Sequence, residues 1–190
     1  LSYFPMFSGN KLEAGKSFIN GMDRIYKSGA FHDNAGGTGI FVGRSSTYEG
    51  RGSWGDELGN MPWLLHTYWK YWQYSGDENI GRALFPMLKE NMRYLSTKLV
   101  KQADGHYHLK ESRSPEYSDN VLLPDANYGL MSIDWVLRTL LDMDDYFNFQ
   151  DPERAAWQEK LDNLLPFPSD ENGFRVSANQ GFDKGHRHYS

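Results

Sequence analysis

Apolar residues recur at spacings of three and four in five segments of the chain, the pattern of an α-helix with one buried face. The clearest stripe runs from Leu84 through Leu88, Met92 and Leu95 to Leu99. The pattern predicts five helices, over residues 11–28, 61–75, 79–101, 127–147 and 153–165. Short strands are predicted at residues 106–109 and 173–179.

Short non-helical segments connect two pairs of these helices, one at Gly76-Asp77 and one before Pro152. Two helices joined by a tight turn form an αα-hairpin, and repeated hairpins with long loops on one side are the plan of an α/α toroid. A closed ring of six hairpins needs about 12 helices, more than this chain length provides. We therefore predict an all-α fold with long loops and minor β structure, in which residues 1–190 form one partial domain of an (α/α)6 toroid.

Two stretches, residues 1–10 and 30–60, lack a regular period and are predicted as loops. The second is rich in glycine but also holds Trp54, Asp56 and Glu57. Its aromatic residues argue against disorder, because disordered segments are poor in them. A loop of this length inside a compact domain is usually functional.

Residues 110–118, Lys-Glu-Ser-Arg-Ser-Pro-Glu-Tyr-Ser, separate the first strand from the helix that begins near Asn127. Pro115 removes a backbone donor and biases Ser114 towards an extended conformation, so a helix is not expected there. Glu116 is thereby presented on an irregular loop between regular elements, where side chains that do chemistry often lie. The ordinary alternative is a solvated loop glutamate.

Composition and charge limit the classes of molecule that the chain is expected to bind. The net charge is −5 and no segment is strongly basic, so a nucleic-acid partner is not expected. No apolar run approaches the roughly 20 residues of a membrane span. The 6 Trp, 12 Tyr and 11 Phe suit either a buried core or a pocket that stacks on the apolar faces of sugars. Cysteine is absent, which excludes disulfides and thiolate chemistry.

The chain begins with Leu1 rather than Met and carries no signal peptide, so we expect a processed or excised piece of a longer protein. The compartment is therefore left open, and a secreted or periplasmic location is compatible with the sequence.

Five short blocks follow one another between residue 50 and the C-terminus: Pro-Trp-Leu-Leu-His-Thr-Tyr-Trp at 62–69, Tyr-Ser-Gly-Asp at 74–77, Phe-Pro-Met-Leu-Lys-Glu at 85–90, Ser-Pro-Glu at 114–116 and Gly-His-Arg-His-Tyr-Ser at 185–190. In this order they resemble the catalytic domain of glycoside hydrolase family 95. That family has an (α/α)6 barrel and hydrolyses α-L-fucosides, or in some members α-L-galactosides, with inversion. The resemblance therefore implies a carbohydrate substrate.

Carried over by the resemblance, Glu116 is the general acid, His186 and His188 line the sugar pocket, and Trp54 falls near a pocket tryptophan. The family's water-activating asparagines and their acidic partner fall outside this chain, so the chain alone is expected to be an incomplete catalyst. The rest of the barrel is expected from flanking sequence. Residues 124–128, Pro-Asp-Ala-Asn-Tyr, depart from the family's commoner Gly-Pro-Thr-Met-Asp, so a leaving-group or subsite specificity different from that of plain fucosidases is compatible with the sequence.

Several polar residues have two interpretations. Asp56 and Glu57 can hold sugar hydroxyls, but capping the following helix is favoured. Asp125 is either a second functional carboxylate or a helix N-cap. His66, within an aromatic helix, faces either the pocket or the core.

The other histidines and acidic residues favour simpler roles. His106 and His108 share one face of a strand and are predicted to lie on the surface. Neither this pair nor His186 and His188 has a third ligand at a conventional spacing, so no metal or cofactor is predicted. Hydrogen bonding to sugar hydroxyls is the favoured role of the latter pair. The acidic run Asp142, Asp144 and Asp145 is predicted to be a solvated helix end.

Two other classes remain as alternatives to a fucosidase-like hydrolase. One is a different helical-toroid enzyme, such as a rhamnosidase, a polysaccharide lyase or a sugar epimerase. The other is a non-catalytic carbohydrate-binding remnant, which would keep the aromatic pocket while position 116 could change freely. The activity of a Glu116→Gln variant separates these classes.

Overall fold

The structure is a computed structural model of the chain, and it describes residues 4–55, 57–115, 117 and 121–182. Helices dominate these residues, which confirms the predicted mostly α-helical fold. The α-helices of this part of the chain are α1 (Phe4–Ser8), α2 (Lys16–Lys27), α3 (Ala30–Asn34), α4 (Asn60–Ser75), α5 (Glu78–Ser96), α6 (Asn127–Phe147) and α7 (Arg154–Asp162), with a 3-10 helix over Leu12–Gly15. None of the helices described is both long and apolar enough to cross a membrane.

The strands are short and form three antiparallel pairs within the described residues. They are β1 (Leu99–Lys101) with β2 (Tyr107–Leu109), β3 (Ser112–Arg113) with β4 (Leu122–Leu123), and β5 (Ser169–Asp170) with β6 (Gly173–Phe174). The predicted strand at 106–109 is confirmed as β2. The predicted strand at 173–179 is shorter than expected and is reduced to β6 and an isolated bridge between Ser177 and Gln180.

Two helical hairpins form the body of the structure, α4 with α5 and α6 with α7, and α5 also packs on α6. The first hairpin turns at Gly76, whose φ of 66° is left-handed, and the Asp77 side chain then caps α5 by accepting from the Asn79 N–H at 3.0 Å. Asn148, with a φ of 51°, ends α6 in the same left-handed conformation. These turns lie where the sequence breaks predicted them.

The main core lies between α4, α5 and α6. Its fully buried side chains include Leu84, Leu88 and Leu95 of α5 and Ile133 and Leu137 of α6. Burying one such side chain contributes about 1.5–3 kcal/mol, so this contact surface holds the two hairpins together.

The predicted helix boundaries were wrong in several places. The helix predicted to reach Lys101 ends at Ser96, because Leu99 continues the apolar stripe but is buried by pairing with Leu109 in β1 and β2. The predicted 11–28 helix begins with a 3-10 turn over Leu12–Gly15, and the α-helix itself runs from Lys16 to Lys27. The helix predicted to reach residue 165 ends at Asp162. The predicted loops 1–10 and 30–60 contain the short helices α1 and α3.

The acidic run at the end of α6 was predicted to be solvated, but only part of it is. Asp142 and Asp145 are exposed, but Asp144 is only 3% exposed. Its Oδ1 accepts the Asp151 N–H at 2.9 Å and its Oδ2 accepts from Arg154 Nη1 at 3.0 Å. Asp144 therefore ties the α6–α7 turn together.

Candidate active site

A cavity of about 580 Å³ opens between the N-terminal ends of α4 and α6 and the loops beside them. Apolar and aromatic side chains form most of its wall, together with a few polar groups. The lining residues are Gly59, Pro62, Trp63, His66, Ser114, Pro115, Asn127, Tyr128, Met131, Ser132, Trp135, Phe174, Arg175, Val176 and Phe182. A concave apolar site with few polar groups is the usual form of a small-ligand pocket.

The first turn of α6 fixes one side of the cavity. The backbone N–H of Asn127 donates to the Val176 carbonyl at 3.0 Å. The side-chain Nδ2 of Asn127 donates to the carbonyls of Pro168 and Arg175, both at 2.7 Å. These bonds hold the 168–176 segment against α6, so that Phe174 and Val176 reach the cavity wall.

Another part of the cavity lining is an aromatic wall (Trp63, His66 and Trp135), which Trp69 supports. The ring of His66 stacks on Trp69 at 5.8 Å between centroids and meets the Trp135 ring edge-on at 5.2 Å. Burial, together with the nearby charge of Lys70, lowers the pKa of His66, so its ring is neutral at pH 7. His66 is one of the cavity-lining residues, and its role in substrate binding remains a prediction.

Glu57 organises the entry to α4, but it does not cap the helix as favoured from the sequence. The N-cap position is occupied by Gly59, which has no side chain to cap the helix. The buried Glu57 carboxylate pairs with Arg44, whose Nε donates to Oε1 at 2.7 Å, and accepts from Asn60 Nδ2 at 3.0 Å. Asn60 Oδ1 in turn accepts the Tyr128 hydroxyl at 2.9 Å, which links Glu57 to the cavity wall.

Asp125 is not the predicted N-cap of α6, because that position is taken by Ala126 without a side-chain cap. Asp125 is buried, with a left-handed φ of 50°, and its Oδ1 accepts the Leu109 N–H at 2.8 Å. Its Oδ2 lies 2.9 Å from His108 Nδ1. Asp125 is not among the cavity-lining residues, so its contacts are those of a residue that joins β2 to the start of α6.

His108 is not the surface residue that was predicted. Its side chain is 14% exposed and lies between two carboxylates, with Nε2 3.0 Å from Asp104 and Nδ1 beside Asp125. Burial lowers the pKa of His108, but the hydrogen bonds that its ring donates to the Asp104 and Asp125 carboxylates outweigh it and leave the pKa above the ordinary value. The folded chain therefore holds this proton more tightly than the unfolded chain does.

This bound proton makes stability depend on pH. The contribution of His108 is fully present below the unfolded pKa of about 6.5 and is lost as pH rises through the raised folded pKa. We expect the melting temperature of the parent to fall by a few degrees between pH 6 and pH 8, and to fall less in a His108→Gln variant. Differential scanning calorimetry at both pH values checks this, and an equal fall in the two proteins would contradict it.

Comparison with known protein families decides the identity of the chain. The model of the glycosyl hydrolase family 95 catalytic domain matches residues 10–190. The chain belongs to glycosyl hydrolase family 95. A search of curated proteins returns no match. The resemblance seen in the ordered sequence blocks is confirmed, and it extends further towards the N-terminus than those blocks did.

As a family 95 glycoside hydrolase domain, the chain has a carbohydrate substrate. Four of the predicted site residues lie outside the residues that the structure describes: Asp56, Glu116, His186 and His188. Their roles remain predictions. Within the described residues there is no group of three or more His, Asp or Glu side chains that could hold a metal ion.

The other predicted site residues do not all lie at the cavity. His66 lines the cavity, and Glu57 contacts it through Asn60 and Tyr128. Trp54 is 59% exposed, with the Arg44 guanidinium 5.5 Å from its ring centroid, and it is not among the lining residues of the family 95 cavity.

Sequence reasoning missed several lining residues, above all Asn127, Tyr128, Ser132 and Trp135. A signal existed for the first two, since they lie where residues 124–128 depart from the family pattern. No local signal existed for Trp135, which reaches His66 only because α4 and α6 pack together.

Proposed function

We propose that this family 95 chain supplies the general acid and one aromatic wall of an inverting glycosidase that removes terminal α-L-fucosyl groups. The observation that carries the proposal is the position of Ser114 and Pro115, which line the cavity immediately before Glu116 in the sequence. Glu116 is the proposed acid. The cavity that Ser114 and Pro115 line is largely apolar.

The proposed chemistry needs a carboxyl group that is protonated near neutral pH. An apolar environment disfavours the carboxylate and so raises the pKa of an acid placed there. For inversion, the base that activates water must lie about 6.5–9.5 Å from the acid. We assign the water-activating groups, and the rest of a closed (α/α)6 barrel around this single partial domain, to sequence outside residues 1–190.

The apolar residues of the wall support a deoxy sugar. Trp63 and Trp135 offer apolar ring surface to the C–H faces of a pyranose. L-Fucose carries a methyl group where L-galactose carries a hydroxymethyl group, and Met131 and Val176 add apolar surface that suits the methyl group. An α-L-fucoside is therefore the favoured substrate, and an α-L-galactoside is the secondary one.

The direct test is hydrolysis by the full-length protein, followed by NMR from the first minutes of reaction. We expect 4-nitrophenyl α-L-fucoside to be cleaved faster than the matching α-L-galactoside, with β-L-fucose appearing before mutarotation. Initial release of the α-anomer would contradict inversion. Cleavage of an α-L-rhamnoside without any cleavage of the fucoside would contradict the substrate assignment.

A further inference from the structure

Three polar residues of α6 contribute to the cavity wall: Asn127, Tyr128 and Ser132. In each of them, the hydrogen-bond donors that can be assigned are already used by the protein, while oxygen lone pairs remain. This shared property sets the kind of ligand group that α6 can bind.

Asn127 is 5% exposed, and the orientation of its amide is determined by its partners. Both N–H groups of Nδ2 are taken by the carbonyls of Pro168 and Arg175, and a flipped amide would place its oxygen against two carbonyl oxygens. Oδ1 is therefore the free end of the amide. It is buried and has no donor among the described residues.

A chain of hydrogen bonds fixes the direction of the Tyr128 hydroxyl. Glu57, paired with Arg44, is a carboxylate and can only accept, so Asn60 must turn its Nδ2 towards it. Asn60 Oδ1 is then an acceptor, and Tyr128 must use its single O–H to reach it at 2.9 Å. The Tyr128 oxygen keeps only lone pairs for other partners.

The packing around Tyr128 holds this arrangement in place. Gly59 lies so close to the Tyr128 ring that a Cβ there would overlap it. Burial, and then the nearby Glu57 carboxylate, raise the pKa of Tyr128, so the hydroxyl stays protonated at neutral pH. The O–H therefore remains committed to Asn60.

Ser132, one helical turn after Tyr128, follows the same rule. Its Oγ donates to the Tyr128 carbonyl at 2.6 Å. The hydroxyl proton thus points back along the helix, and the Oγ lone pairs remain.

We propose that Asn127, Tyr128 and Ser132 form an acceptor edge that selects the ligand by the hydroxyl groups that donate to it. The inference rests on the proposed function and adds a specificity determinant to it. The matching ligand is a neutral sugar with free hydroxyls along one side of the ring. A carboxylate, a sulfate or an O-alkylated position cannot donate, and a site built to bind a hydroxyl rejects the analogue that lacks it because its buried polar groups are left unpaired.

The test is calorimetric titration of the full-length protein with L-fucose and its 2-, 3- and 4-deoxy derivatives. The variants are Tyr128→Phe and Ser132→Ala, since substitution of Asn127 would also release the 168–176 segment. We expect each variant to bind L-fucose about 3- to 10-fold more weakly, the size of one uncharged hydrogen bond. For one of the deoxy sugars, parent and variant should bind equally, because the donor that met the lost oxygen is missing.

Tyr107→Phe is the matched control. It removes the same atom from a tyrosine whose hydroxyl donates to Glu159 at 2.7 Å and which does not line the cavity, so its affinities should equal those of the parent. Unchanged affinities in both cavity variants, or an equal loss for all four sugars, would overturn the acceptor edge while leaving the fucosidase assignment intact. A parent that neither binds these sugars nor cleaves the fucoside would instead reject the proposed function.

Discussion

Replacing Glu116 by Gln in the full-length protein is expected to lower kcat/KM on a natural fucosyl disaccharide by about 10²–10⁴, the usual contribution of a general acid. The loss should be far smaller on an aryl α-L-fucoside with an acidic phenol, since that leaving group departs without a proton. Steady-state rates of parent and variant on both substrates measure the difference. The dependence on the leaving group is what separates proton donation from substrate positioning.

Glu111→Gln provides the matched control for Glu116→Gln. Glu111 lies in the same stretch, is exposed and is not among the cavity-lining residues, so its substitution should leave both rates near those of the parent. Equal losses on the two substrates in Glu116→Gln would assign Glu116 a positioning role. No loss on either substrate would make it an ordinary loop residue.

The sequence predicts the hairpins well because their signals are local. The apolar stripe of α5 and the left-handed break at Gly76 are properties of neighbouring residues, and they survive folding unchanged. The end of α5 is different. Leu99 fits the helical stripe as well as it fits a strand, and only its pairing with Leu109 decides between them. Such a boundary depends on a residue that is distant in the chain.

The site is harder to predict because its polar residues are defined by partners. Glu57 looks like a helix cap in sequence, but Arg44 and Asn60 turn its carboxylate towards the cavity wall instead. Asp125 likewise precedes a helix as a cap should, but its left-handed backbone and its bond to the Leu109 N–H direct it towards β2. Residue type and spacing marked these side chains only as candidates. They could not show what the side chains contact.

The prediction that Asp144 is solvated was wrong because its contacts with Asp151 and Arg154 cannot be read from the sequence. Loss of these contacts is the change with the largest expected effect on stability. An Asp144→Ala substitution removes the acceptor of the Asp151 N–H and of Arg154 Nη1, and it leaves a partly buried donor without a partner. We expect the free energy of unfolding to fall by about 2–3 kcal/mol. Urea denaturation of the full-length protein, analysed at a common m-value, measures the change.

Asp145→Ala is the matched control, because Asp145 also accepts from Arg154, at 3.0 Å from Nη2, but its side chain is 69% exposed. An exposed ion pair contributes under about 1 kcal/mol, since water screens it and both side chains lose freedom in forming it. Its loss should therefore shift the urea midpoint much less than the loss of Asp144. Equal shifts in the two variants would show that the charge of Arg154, rather than the buried bonds of Asp144, holds α7 to the end of α6.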